Sequence, residues 1–334
     1  MKKINRNFVS VGFAFFLLFF IRCSTSKQEN KSFKIIAYLT PHGISAEEIP
    51  YQYLTHINYS FVVPEKSSDG KLTQVPNPEF LKAVVANAHK NNVKVFISVG
   101  GWGIGDGGGN DTRFEVLANN AASRTTFTQS VMEIIREFNL DGADIDWEYP
   151  DPIQPSSDNY VLLMKELRDT LHKENKKLSA AVVSYHDRIG YGIKNEIFGI
   201  VDWLNLMAYD DDYNTFGGAH VPHAPYWLAV RSFDYWVKDR GLKKEKAIMG
   251  VPLYGKGNKK ADSYKQLLKN GADPCSDVHD SIYYNGIKTI KEKTNLAKKQ
   301  GGGIMMWELK QDSLGDLSLL KAIYDEAYSQ NEIQ

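Results

Sequence analysis

Two cysteines in 334 residues leave this chain almost without disulfide chemistry. Cys23 lies just behind an N-terminal apolar run, and Cys275 stands alone in the remainder. If Cys23 is modified or removed, no intrachain bridge can form, and the core must stand on packing. Excess charge of one sign is also lacking. Basic and acidic side chains number 40 each, and without residues 1–22 the balance is 36 to 40. Nothing in that balance suggests the clustered basic surface that nucleic acid requires. No apolar run reaches membrane-spanning length, since Phe8 to Ile21 covers only 14 residues. No G-x-G-x-x-G follows the first strand-like segment, which argues against a doubly wound nucleotide-binding sheet. The stretch GIGDGGGN (103–110) is glycine-rich but lacks the Lys-Ser/Thr of a phosphate loop, and is expected to be a loop above the third strand.

What is present begins with an export signal. Lys2, Lys3 and Arg6 precede the apolar run, with no acidic residue among the first 22. No A-x-A-like cleavage site follows. Cys23, set between that run and a polar segment, resembles the lipid-accepting cysteine of bacterial lipoproteins, although Arg22 stands where that pattern has a small residue. The expected organisation is a signal peptide over 1–22, a flexible tether over 23–32 and one catalytic barrel over 33–330. The expected location is outside the cytoplasm, lipid-anchored to the bacterial cell envelope or surface through Cys23, or otherwise secreted.

Beyond the tether, short apolar runs alternate with amphipathic stretches. Strands are predicted at 34–40, 55–62, 93–100, 141–148, 178–185, 201–209, 247–254 and 302–308, each nearly continuously apolar, as strands covered on both faces are. Between them, Phe127, Val131, Ile134, Ile135 and Phe138 mark one helical face, and Tyr160, Leu163, Leu167 and Leu171 another. Residues 225–239 and the segment around 319–327 also carry helical patterns, while the stretch after the fifth strand is irregular. Eight strands interleaved with helices over one domain predict an α/β fold, a single (β/α)8 TIM barrel.

One strand breaks the apolar rule. In DGADIDWEYP (141–150), Asp144, Asp146 and Glu148 share one parity, and Ile145 and Trp147 the other. The alternation of a barrel strand turns the three carboxyl groups inward, climbing toward the C-terminal end where barrel enzymes keep their chemistry. A solvated acidic face does not suit the inside of a barrel. A metal site is disfavoured because carboxylates stacked along one strand are poorly placed to share an ion. Acid catalysis fits best: crowded carboxyl groups raise one another's pKa, and the outermost, Glu148, is best placed to give a proton to a substrate bond.

The string resembles the D-G-x-D-x-D-x-E signature of family 18 glycoside hydrolases, the chitinases and their relatives. Three further stretches are similar to family motifs, in order: SVGGW (98–102), MAYD (207–210) and GGGIMMWELKQD (301–312). The resemblance implies retaining, substrate-assisted hydrolysis of β-1,4-N-acetylglucosamine linkages, in which the sugar's own acetamido oxygen attacks its anomeric carbon. It makes Glu148 the general acid and then the base, with Asp146 stabilising the acetamido group. Asp144 shares a proton with Asp146, and Tyr209 donates its hydroxyl. Asp210 and Met207 line the pocket, and Trp307 stacks on the sugar. Tyr38 and Phe61 hold positions that are often aromatic in the family, although core packing accounts for them nearly as well. Trp102 either covers the cleft or packs a loop. Ser98, Gly100 and Gly101 allow close backbone packing beside the acidic strand.

His220 and His223 sit in a Gly/Pro loop and are expected at the cleft rim, not on a metal. Neither metal nor cofactor is expected, and the chain is expected to be a monomer. The segment between Gly255 and Gly301 has room for about one and a half helices and little else. No insertion domain is therefore expected there, and the cleft should be open, favouring endo-type or short-oligosaccharide cleavage. Two other readings remain open: an endo-β-N-acetylglucosaminidase that cuts the chitobiose core of N-glycans, and a carbohydrate-binding protein without catalysis.

Overall fold

All eight predicted strand segments form strands. In a computed structural model of the chain they begin with Lys34–Leu39 (β1), His56–Val62 (β2), Lys94–Gly100 (β3), Gly142–Asp146 (β4), Lys177–Val183 (β5), Trp203–Met207 (β6) and Ala247–Pro252 (β7). Four short strands follow, Tyr254–Gly257 (β8), Lys260–Ser263 (β9), Val278–His279 (β10) and Ile282–Tyr283 (β11), and then Gly303–Trp307 (β12). Strands β1–β7 and β12 pair in parallel and close into a barrel in the order β1-β12-β7-β6-β5-β4-β3-β2. The expected (β/α)8 barrel is the observed fold. The structure describes Met1 and residues 33–329, apart from 106–109, 154, 186, 212–221 and 258–259. The predicted signal, Cys23, the tether and His220 lie outside those residues, as does the middle of the glycine-rich loop.

Helices cover the outside: Pro78–Lys90 (α1), Thr112–Asn119 (α2), Ala121–Glu137 (α3), Ser156–Leu171 (α4), Asp187–Gly190 (α5), Ile197–Ile200 (α6), Tyr226–Phe233 (α7), Tyr264–Lys269 (α8), Ile287–Gln300 (α9) and Leu319–Tyr328 (α10). The irregular stretch after β5 is resolved as α5 and α6, two single-turn helices too short for a periodic pattern. The predicted helix at 225–239 is α7 continued by a π-helical turn over Asp234–Asp239.

Two apolar cores result from strand alternation. One lies between the strands and the helices and includes Ile145, Trp147, Phe114 and Tyr160. The other fills the barrel and includes Ile36, Tyr38, Phe96, Trp203, Met207 and Met305. Trp203 closes the N-terminal mouth, with Phe96 at 5.2 Å and His56 at 5.1 Å between ring centroids and the Lys34 amine 5.4 Å over its ring. Burial pushes the His56 imidazole down to about 3, so it plugs the mouth as a neutral ring.

The segment between β7 and β12 corrects one expectation. It holds α8 and α9, but also a four-stranded antiparallel sheet in the order β10-β11-β8-β9. Strands of two to four residues are too short to show alternation, which is why the sequence hides them. The described residues from Phe33 onward nonetheless form one compact unit, so this small sheet is an elaboration of the barrel and not a separate domain.

Candidate active site

The side chains of β4 and the residues just past it alternate between the two sides of the barrel wall. Ile145 and Trp147 are buried on the helix side. Trp147 stacks on Phe114 at 5.1 Å and 10°, meets Tyr160 edge-on at 5.6 Å, and donates from Nε1 to Asp111 at 2.8 Å. Asp144 and Asp146 point the other way, into the barrel, and are 0% and 4% exposed. The glycines of SVGGW let β3 approach β4. A Cβ on Gly100 would lie 2.1 Å from the Asp146 carbonyl oxygen, and its φ of +121° is a glycine conformation. Beside it, Gly101 N–H donates to that same oxygen at 2.8 Å.

Asp144 forms the lower layer of the site. Its neighbours in strand register are Ser98 on β3 and Ser179 on β5. Both hydroxyls donate to it, Ser98 at 2.8 Å and Ser179 at 2.6 Å. Tyr38 donates at 2.6 Å and the Asn205 amide at 3.0 Å. Burial still raises the Asp144 pKa, but these four donors oppose the rise, as they favour the charged carboxylate. The proton sharing with Asp146 that the resemblance implies is not what the geometry has: both Asp144 oxygens are taken by other donors. Tyr38 is also recast. It lies on the cleft wall, but its hydroxyl is committed to Asp144, and it is only 1% exposed.

Asp146 is treated differently. Its Oδ1 is buried with no hydrogen-bond partner. Burial drives its pKa well above the ordinary carboxylate value, and the neighbouring Glu148 and Asp144 charges add to the rise. Of the two, Asp146 is therefore the carboxyl group pushed further toward its protonated form, because its Oδ1 has no donor while four donors oppose the rise at Asp144.

Glu148 lies beyond the ladder, partly buried on a cleft of about 1060 Å³. Burial first, and then the Asp210 charge, push its pKa up to about 7. A carboxyl group poised near 7 can both give and take a proton at neutral pH.

Asp146, Met207, Tyr209, Asp210, Tyr38, Phe61, Trp102 and Trp307 line that same cleft, so four motifs far apart in sequence meet there. Trp307 stacks with Phe61 at 5.5 Å and 26° and meets Tyr38 edge-on at 5.5 Å, which fixes its ring as a flat apolar surface. Trp102 is 59% exposed, which places it as a covering side chain of the cleft and not a packed loop residue. Among the described residues, the Tyr209 hydroxyl has one hydrogen-bond contact, the Met305 sulfur, a weak acceptor, at 3.9 Å. Burial, then the surrounding acids Asp146, Asp210, Glu148 and Asp144, push its pKa far up, so it stays a donor.

Asp210 is held by residues that the sequence reading did not assemble. Its backbone is left-handed, with φ +60°. Its carboxylate accepts from Tyr254 at 2.6 Å and lies 3.1 Å from both His223 Nδ1 and the Lys256 amine. Although burial opposes it, these partners hold its pKa below the usual carboxylate range, so it faces Glu148 as an anion. His223 is thus a buried structural partner of Asp210. A faint signal for the other two was available: Tyr254 and Lys256 continue the alternate parity just past β7.

One consequence can be measured. Asp210 raises the Glu148 pKa, so Asp210→Asn removes a negative charge and lowers it. Activity that needs protonated Glu148 falls as pH rises through that pKa. The alkaline limb of the kcat/KM profile is therefore expected to move to lower pH in Asp210→Asn. An unmoved limb would separate the two groups.

A sequence model described as "Glycosyl hydrolases family 18" matches residues 34–312. "Endochitinase 1" of Metarhizium anisopliae is 28% identical over 286 residues, which are 69% of this chain and 64% of that protein, so this chain spans under two thirds of that relative. The crystal structure of a chitinase from Bacteroides thetaiotaomicron superposes with a TM-score of 0.78 at 28% identity, covering 90% of this chain and 98% of that one. The chitinase-like agglutinin of Robinia pseudoacacia shares the fold, with a TM-score of 0.75 at 24% identity over 87% of this chain and 99% of that one. Fold alone therefore does not decide activity, and the side chains on β4 must. By its sequence match over the whole barrel, this chain belongs to glycosyl hydrolases family 18.

Proposed function

We propose that this chain hydrolyses β-1,4 linkages between N-acetylglucosamine units in chitin or chitooligosaccharides, with retention of configuration. The observation that carries the reading is the layering along β4: Asp144 beneath with four donors, Asp146 above it with a buried, unpartnered Oδ1, and Glu148 on the cleft with its pKa pushed up to about 7. Glu148 gives its proton to the departing glycosidic oxygen. The substrate's acetamido oxygen closes on the anomeric carbon, and the Asp146 carboxyl group and the Tyr209 hydroxyl hold that acetamido group. Water then opens the intermediate with Glu148 as base. Trp307 supplies the flat surface beneath the sugar. Binding without catalysis, as the agglutinin's name suggests for that protein, suits a site without an acid, and here Asp144, Asp146, Glu148 and Tyr209 are all present.

The same machinery could act on the chitobiose core of an N-glycan, and one experiment separates the substrates. Purified protein is incubated with chitohexaose and, separately, with a high-mannose glycoprotein. Short N-acetylglucosamine oligomers from the first are the expected result. Glycan release from the second, with chitohexaose untouched, would replace the chitinase reading. We also propose that the chain is exported, is lipid-anchored through Cys23 and acts as a monomer. Metabolic labelling with a fatty acid, lost in Cys23→Ala, tests the anchor.

A further inference from the structure

The chain's neutral composition hides a division between the two ends of the barrel. Parallel strands start, and the covering helices end, at one mouth. Five exposed lysines gather there: Lys90 at the end of α1, Lys173 after α4, Lys243 and Lys244 before β7, and Lys299 at the end of α9. None of their amines has a hydrogen bond or ion pair among the described residues. Helix dipoles explain Lys90 and Lys299, since cations favour helix C-termini. They do not explain Lys243 and Lys244, which lie outside any α-helix.

The carboxylates at this end are largely neutralised, and by a repeated device. Asp141, at the start of β4, binds Lys94 at 3.0 Å and His89 at 2.9 Å. Asp202, at the start of β6, binds Lys177 at 2.9 Å and His172 at 3.1 Å. Glu174 pairs with Arg136. Glu137 and Glu245, with Glu133 one turn back on α3, are exposed there with no ion pair among the described residues. The opposite mouth differs: Asp111, Asp151 and Asp210 line the cleft beside Asp146 and Glu148, whose pKa values are raised, and Lys256 is the one cation among its described lining residues. The chain also enters the barrel at the basic mouth, through Phe33 and Lys34.

We infer that the N-terminal mouth of the barrel is a docking face for the phosphate headgroups of an anionic lipid surface, which leaves the cleft facing away from that surface. Lysines spread around one end of a cylinder suit a flat sheet of negative charge better than a linear polyanion. The inference stands apart from the hydrolase reading and from lipid attachment at Cys23, because it concerns the barrel's own charges.

The test uses the full chain and vesicles of phosphatidylcholine alone or mixed with phosphatidylglycerol, at low and high salt. A variant carrying Lys90→Gln, Lys173→Gln, Lys243→Gln, Lys244→Gln and Lys299→Gln keeps Lys2, Lys3 and Arg6, so any leader contribution cancels. A control variant removes equal charge elsewhere, through Lys66→Gln, Lys265→Gln, Lys269→Gln, Lys288→Gln and Lys291→Gln. The first variant is expected to bind the anionic vesicles about tenfold or more weakly at low salt, with little difference at high salt. The control is expected to bind like wild type, and both are expected to hydrolyse soluble substrate normally. Equal binding by all three chains, or equal loss in both variants, would overturn the inference. Loss of heparin binding with vesicle binding intact would assign the face to a soluble polyanion and also overturn it.

Discussion

Glu148→Gln is expected to lower the hydrolysis of chitooligosaccharides by about 10²–10⁴-fold, the range that a positioned general acid–base group supplies, while leaving their binding close to wild type. Glutamine keeps the shape and a polar end at the cleft floor but cannot transfer a proton. The loss belongs in kcat, because the sugar is held mainly by groups this change leaves alone: the Trp307 ring fixed by Phe61 and Tyr38, the Tyr209 hydroxyl and the Asp146 carboxyl group. Oligosaccharide binding by calorimetry beside steady-state rates separates the two quantities. A variant that retains substantial turnover would remove Glu148 from the role of acid.

Asp146→Ala is expected to lower kcat by about 10²–10³-fold, as loss of a preorganised charge-stabilising group does. The effect on stability should run the other way from that of an ordinary core polar residue. Asp146 is buried, has Oδ1 without a partner and takes up a proton more readily in the fold than outside it. A group whose folded pKa is raised stabilises only while protonated, and works against the fold as pH climbs through that value. Removing it is therefore expected to leave the unfolding free energy at neutral pH equal to or above wild type. Asp144→Ala is the contrast. It strands four buried donors, Tyr38, Ser98, Ser179 and Asn205, and an unpartnered donor costs about 1–3 kcal/mol. Urea denaturation of the two variants reads the difference directly. If Asp146→Ala destabilised as much as Asp144→Ala, Asp146 would be a structural residue.

The barrel was legible because its strands are covered on both faces and so read as apolar runs. The acidic face of β4 was legible because parity alone separates Asp144, Asp146 and Glu148 from Ile145 and Trp147. Even there the ladder ends at Asp146, so Glu148 keeps the parity of the strand without belonging to it. Two polar letters inside apolar strands, Ser179 and Asn205, could have pointed to the lower half of the network; each looks unremarkable alone. The grip on Asp210 draws His223, Tyr254 and Lys256 from two separate stretches of chain, and only the parity of the last two left a local trace. Strands β10 and β11 have two residues each and carry no periodic signal. The basic mouth was invisible for a related reason. Its five lysines are scattered from position 90 to 299 in a chain with no net charge, and only the shared polarity of strands and helices brings them to one end.

The central claim is that Glu148 acts with the substrate's own acetamido group, held above Asp146. It is tested most directly by following the first product of chitopentaose cleavage by proton NMR, beside the same pentamer with its acetyl groups removed. The expected result is β-anomer product from the acetylated chain and no cleavage of the deacetylated one. Initial release of the α-anomer, or comparable cleavage of both pentamers, would contradict it.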